Sequence, residues 1–194
     1  MKKIGLFFGT FDPIHKGHLQ LANYFAKETD VDKVWFVLTP QNPFKKDANI
    51  LSDQLRLELI NRAVKGNPNL EVCTLEFSLP KPNYTYTTLC ELKKQHPNQT
   101  FVLLLGEDII STFKNWKDYD KILAEYRLYV YPRKHNNRTI PAAFQNHPKI
   151  HWVTAEQYEI SSSQLRAELK KGTDMSAYIP EESWEYIKQK KLYE

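Results

Sequence analysis

Two histidines three residues apart, His15 and His18, flank Gly17 within the run "GTFDPIHKGH" at residues 9–18. The run follows the apolar stretch Ile4–Phe8 and precedes the amphipathic stretch Leu19–Lys27, so it reads as a loop between a buried strand and a helix. A helix N-terminus presents free N–H groups and a partial positive charge, which together favour phosphate. Imidazoles placed there donate further hydrogen bonds and can carry charge. Asp12-Pro13 supplies a cap-like acceptor and a rigid turn. Either histidine alone reads as a surface residue at a helix start. The whole spacing behind a strand reads as an anion site.

A second constellation, "EISSSQLR" at residues 159–166, stands before a later helix. Ser161 and Gln164 fit a capping box, which accounts for those two residues. Ser162, Ser163 and Arg166 are left over, and hydroxyls with an arginine around a helix start make a second anion site. Gly9 and Gly106 each close an apolar strand. If those strands are neighbours, a ligand can approach the backbone closely from both sides. Three other side chains keep two readings each. Asp108 is either the N-cap of a helix over 109–113 or a partner for ribose hydroxyls, and the two are compatible. Trp116 is either a core aromatic or a stacking surface. Arg133 is either a solvated charge in a basic loop or a nucleotide contact.

These residues need elements to position them. Short apolar runs recur at Lys3–Phe8, Lys33–Thr39, Leu70–Leu75, Thr100–Leu105, Arg127–Tyr131 and Lys149–Val153. Between them lie helical faces: Leu19, Ala22, Phe25 and Ala26; Leu55, Leu59, Ile60 and Ala63; Leu89, Leu92 and Lys93. Strand and helix in alternation predict an α/β, Rossmann-like, mostly parallel sheet flanked by helices. The near-continuous apolar run Phe101–Leu105 suits a strand covered on both faces. Residues 132–148, rich in proline, asparagine and basic side chains, read as a long surface loop. Ser162–Lys171 and Glu181–Lys190 are expected helices, so residues 1–194 form one domain with a small helical part from about residue 160.

The 194-residue length allows one domain with a full core. The mix of 41% hydrophobic and 26% charged residues is that of a soluble globule. No apolar run approaches the roughly 20 residues of a membrane span. Net charge is +4, but the basic residues are scattered, so a small anionic ligand is favoured over nucleic acid. Cys73 and Cys90 match no zinc spacing and read as reduced core thiols. Together with the absence of a leader pattern, this predicts a cytoplasmic protein.

"GTFDPIHKGH" resembles the signature of the nucleotidyltransferase superfamily with an H-x-G-H motif. "EISSSQLR" resembles its I-S-S-T-x-x-R motif, with Ser163 where threonine is usual. Nearly the whole chain is similar to the nicotinate-nucleotide adenylyltransferase family: "TPQNPFKK" (39–46), "NYTYTTL" (83–89), "LLLGEDIISTFKNW" (103–116) and "YIPEESWEYIKQKKLY" (178–193) look like successive segments of it. Three departures stand out. Phe8 replaces the first of two opening glycines, Thr87 an aspartate, and Gly106-Glu107-Asp108 stands for G-A-D.

The resemblance implies adenylyl transfer from ATP to nicotinate mononucleotide, giving deamido-NAD and pyrophosphate. It implies His15, His18 and Arg166 as catalytic residues. ATP would also meet Gly9, Thr10, Phe11, Gly106, Asp108, Arg133, Ile160, Ser161, Ser162 and Ser163. Asp12, Lys45, Tyr84, Thr85 and Trp116 would serve the acceptor. Mg²⁺ would be bound mainly through ATP phosphates, and the C-terminal aromatics would pack. The alternatives are another acceptor (nicotinamide mononucleotide, phosphopantetheine, or a sugar or lipid phosphate), or a non-catalytic nucleotide-binding regulator.

Overall fold

The computed structural model of the chain describes residues 1–41, 50–133, 139–156, 158 and 160–193. Lys45 lies outside them. Six strands form one sheet: β1 (Lys2–Gly9), β2 (Lys33–Leu38), β3 (Leu70–Cys73), β4 (Gln99–Gly106), β5 (Arg127–Tyr131) and β6 (Ile150–Trp152). Their order is β3-β2-β1-β4-β5-β6, and all five pairings are parallel. The strand order reverses between β1 and β4. In an open parallel sheet that switch point opens a crevice at the carboxyl ends of the strands.

Alternate side chains of each strand go to opposite faces. Phe7, Val34, Phe36, Leu38, Val102 and Leu104 enter one core, with α1 (Lys16–Glu28) and α2 (Asp53–Val64). Ile4, Leu6, Trp35, Val37, Leu103 and Leu105 enter the other, with α3 (Thr85–Gln95). The second core also takes residues from α4 (Glu107–Ile110), the short turn Phe113–Asn115, α5 (Tyr119–Glu125) and α6 (Ala142–Gln145). Helices α7 (Ser162–Leu169) and α8 (Glu181–Lys190) return to the first face through Leu165, Leu169 and Ile187. Burial on both faces is why the central strands are near-continuously apolar. Among the described residues, no helix is long and apolar enough to cross a membrane.

Two expectations change here. The segment 132–148 is not loop throughout: α6 forms within it, because Phe144 is apolar enough to be buried against Phe113 at 5.9 Å between ring centres. On α3, Leu89 and Leu92 are buried, but Lys93 faces solvent and pairs with Glu125.

Candidate active site

A cleft of about 350 Å³ opens above the β1–β4 switch point. One end is lined by Gly9, Thr10, Phe11, His15 and His18 from the loop after β1, by Gly106 and Asp108 after β4, and by Arg133 after β5. Ser161, Ser162, Ser163 and Arg166, from the start of α7, close the same end. The other end is lined by Thr39, Glu76, Asn83, Tyr84, Thr85, Trp116 and Lys117.

The loop after β1 is packed from within. Phe11 has φ of 47°, and its ring lies over Gly9, where an added Cβ would come within 2.8 Å of it. Glycine there makes room for a phenylalanine of the protein, while Gly9, on a strand paired with that of Gly106, still lines the cleft. Gly17 is crowded in the same way by Tyr158. At Gly106 a Cβ would strike the Asp108 carboxylate and sit 3.3 Å from Arg133 Nε, so this glycine lets a charged pair close over the strand end.

His15, not Asp12, is the N-cap residue of α1. Its backbone N–H donates to His18 Nδ1 at 3.2 Å, and the two rings stack at 3.6 Å between centres. A neutral His18 whose Nδ1 accepts must carry its proton on Nε2. His15 is buried and lies near the Arg133 guanidinium. Burial first, and Arg133 second, hold its pKa down at about 3. Of the two roles open to an imidazole there, donor and cation, His15 is therefore left with that of a neutral donor at physiological pH.

The second motif docks on the first. Ser161 and Gln164 form the capping box: Ser161 Oγ accepts from the Gln164 amide at 3.3 Å, and Gln164 Oε1 accepts from the Ser161 amide at 2.9 Å. Ser162 Oγ donates to the Pro13 carbonyl at 3.0 Å, and Arg166 Nη1 donates to the Asp12 carbonyl at 2.8 Å. Arg166 Nη2 donates to Ser163 Oγ at 3.4 Å. Residues some 150 positions apart in sequence are thus tied together at one end of the cleft. Arg133 Nε lies 3.6 Å from Asp108 Oδ1 across the strand ends.

Four expected positions shift. Asp12 is fully buried, accepts hydrogen bonds from Tyr193 and Leu51, and does not line the cleft, so its carboxylate serves the loop and not the acceptor. Ile160 packs against the first core, because its apolar side chain prefers that to the cleft. Gly106 is the N-cap of α4, and Asp108 sits in its first turn with its carboxylate toward Arg133. Among the C-terminal aromatics, Trp184, Tyr186 and Tyr193 pack on the first core as expected, the Tyr193 hydroxyl also donating to Asp12, whereas Tyr178 is exposed.

At the other end, Tyr84 is the N-cap of α3 without a side-chain cap, so the amides of the first turn, Thr85 onward, have no acceptor within the helix. Trp116 is half-buried, with its ring 5.3 Å from that of Phe113. Lys117 Nζ lies 4.5 Å over the Tyr84 ring, which brings a cation to the start of α3. Thr87, the departure from the family pattern, is exposed, while Thr88 is buried and donates to Glu76 Oε1 at 2.7 Å. Glu76 is buried beneath this end, its pKa raised by burial against the opposing hydrogen bonds of Thr88 and Thr39.

Sequence spacing did not single out Glu76, Asn83, Lys117 or Arg56. Arg56 is fully buried and donates to the carbonyls of Thr10 at 2.7 Å, Thr39 at 3.1 Å and Leu51 at 3.1 Å. It braces the loops after β1 and β2 together. An arginine inside an otherwise apolar helical face was the available signal. Among the described residues, no group of three His, Cys, Asp or Glu side chains is placed to hold a metal ion.

The Cytidylyltransferase-like family profile matches residues 6–168. A Flavobacterium psychrophilum protein named "Probable nicotinate-nucleotide adenylyltransferase" is 44% identical over 191 residues, covering 98% of each chain. Its namesake in Flavobacterium johnsoniae is 41% identical with the same coverage. The chain belongs to the nicotinate-nucleotide adenylyltransferase family. In fold, it superposes on the Plasmodium falciparum nicotinic acid mononucleotide adenylyltransferase complexed with NaAD, with a TM-score of 0.82 and 24% identity, covering 100% of this chain and 98% of that one. The family's H-x-G-H and serine-arginine motifs thus stand on the two walls of one end of the cleft.

Proposed function

We propose that the protein transfers the adenylyl group of ATP to nicotinate mononucleotide, forming deamido-NAD and releasing pyrophosphate. The observation that carries this reading is the joining of two anion-binding motifs at one end of a cleft whose other end offers an aromatic ring and a helix start. An oxygen of the acceptor's 5′-phosphate attacks the α-phosphorus of ATP. The new P–O bond forms as the bond from Pα to the bridging oxygen breaks, and pyrophosphate leaves with the electron pair. The attacking phosphate is already an anion, so no protein nucleophile is required. The protein's work is to align two polyanions and to stabilise charge developing on the transferring group.

His18 donates through Nε2 to the α-phosphoryl group, and His15, held neutral, donates beside it. The Ser161–Ser163 segment and Arg166 hold the β- and γ-phosphates, with Arg133 as a further cation. Asp108 takes ribose hydroxyls. Trp116 stacks on the pyridine ring, and the α3 amides, assisted by Lys117, receive its carboxylate. Mg²⁺ would enter with the triphosphate and would neutralise phosphate charge beside the serine and arginine side chains of this end. Pyrophosphate release, measured with ATP against a panel of nicotinate mononucleotide, nicotinamide mononucleotide and phosphopantetheine, tests the proposal. Turnover with the first is expected. ATP binding with no turnover on any acceptor would leave a nucleotide-binding regulator.

A further inference from the structure

The hydroxyl of Tyr193, in the segment after α8, donates to Asp12 Oδ1 at 2.7 Å. Asp12 lies in the loop after β1 and is fully buried. A buried carboxylate is costly unless its oxygens are partnered. Oδ1 is satisfied by Tyr193, with the Leu51 amide more distant at 3.4 Å. Oδ2 has no hydrogen-bond partner, and the nearest cation is Arg166, with Nε at 3.8 Å. That is an ion-pair distance, longer than a hydrogen bond. Arg166 instead spends Nη1 on the Asp12 carbonyl and presents Nη2 toward Ser163 on the cleft wall. Among the described residues, Arg56 is a further cation near the pair.

We propose that Tyr193 is a positioning residue for Arg166, acting through Asp12. By satisfying one carboxylate oxygen, the phenol keeps Asp12 from drawing the guanidinium fully onto itself, and the fork stays at the cleft wall for the β- and γ-phosphates of a nucleoside triphosphate. Burial and the neighbouring Asp12 charge push the phenol's pKa well above its ordinary value, so it remains a donor at every working pH. The proposal rests on Arg166 being a phosphate ligand.

The test is a double-mutant cycle on the full chain, read by calorimetric titration with MgATP. Tyr193→Phe is expected to weaken ATP binding about tenfold, the size of one hydrogen bond to a charged group. In an Arg166→Ala background, the same change is expected to have less than a twofold effect. Equal weakening in both backgrounds would show that Tyr193 merely supports the fold and would overturn the proposal. Unchanged binding by the single variant would overturn it as well. In either case, an Arg166→Ala protein that binds ATP poorly leaves the phosphate site standing. An Arg166→Ala protein that binds ATP normally would sink that site, and the positioning role with it. Should Tyr193→Phe not fold, Asp12→Asn removes the charge that would draw the guanidinium: its ATP binding is expected to stay within about twofold of wild type, and a tenfold loss would overturn the proposal.

Discussion

The two ends of the cleft are built differently. The phosphate end is tied together by backbone carbonyls: Ser162 holds Pro13, Arg166 holds Asp12, and Arg56 holds Thr10 from behind. Its ligand groups are fixed by a network that spans most of the chain. The acceptor end rests on one half-buried indole, one helix start and an exposed lysine over a tyrosine ring. On the proposed reading, the first region is preorganised for charge that develops during reaction, and the second recognises a ground-state shape and can be altered one residue at a time. Lost donors to the transferring group should therefore lower turnover, lost grips on the β- and γ-phosphates should weaken ATP binding, and lost contacts at the acceptor end should raise KM for the mononucleotide.

The largest effect is expected from His18→Ala. Removal of a transition-state donor lowers kcat by about 10²–10³. Steady-state kinetics should show that fall with little change in KM for ATP. A near-normal kcat with only a raised KM would place His18 with the binding contacts and erase the contrast between the two ends. Arg166→Lys comes next. An ammonium cannot reproduce the fork that reaches both Asp12 and Ser163, and about ten- to hundredfold of ATP affinity should go. AMP affinity should fall much less, because AMP lacks the β- and γ-phosphates, and equal losses for both nucleotides would put Arg166 elsewhere on the ligand.

At the acceptor end, Trp116→Ala should raise KM for the mononucleotide about tenfold and leave KM for ATP within twofold, since stacking is worth on the order of 1 kcal/mol beyond the area it buries. A matching rise for ATP would mean that the indole supports both subsites.

How legible these ends were in the sequence follows from the same contrast. The phosphate motifs are contiguous runs, so "GTFDPIHKGH" and "EISSSQLR" could be read directly, as could the six strands, whose double-sided burial leaves unbroken apolar stretches. Their docking could not be read: nothing in the spacing says that Ser162 reaches Pro13, or that Asp12 turns inward to Tyr193. The acceptor end has no run of its own. Glu76 lies in a short turn after β3, Lys117 follows Trp116 as one more surface lysine, and the two meet in the fold as lining of the same cleft. Arg56 was hidden because it interrupts a helical face whose apolar residues alone explain the helix.

An effect of another kind concerns acid stability. His15 keeps a folded pKa of about 3 against an ordinary 6.5. Below pH 6.5 the unfolded chain takes up a proton that the folded one refuses, so folding stability drops as pH falls from about 6.5 toward 3 and is unaffected above that window. The slope from this residue is at most about 1.4 kcal/mol per pH unit. Urea unfolding of the wild type and of His15→Gln at pH 7.5, 5.5 and 4.5 should show the wild type losing ground to the variant as pH falls, and parallel pH dependences would contradict it.

The central claim is that one end of the cleft performs adenylyl transfer while the other selects an anionic pyridine ring. The most direct measurement compares kcat/KM for nicotinate mononucleotide and nicotinamide mononucleotide at saturating ATP. One or two charge-assisted hydrogen bonds from the α3 amides, with Lys117 nearby, predict a preference for the acid of about 2–4 kcal/mol. Equal values, or a preference for the amide, would contradict the acceptor assignment while leaving the phosphate chemistry intact.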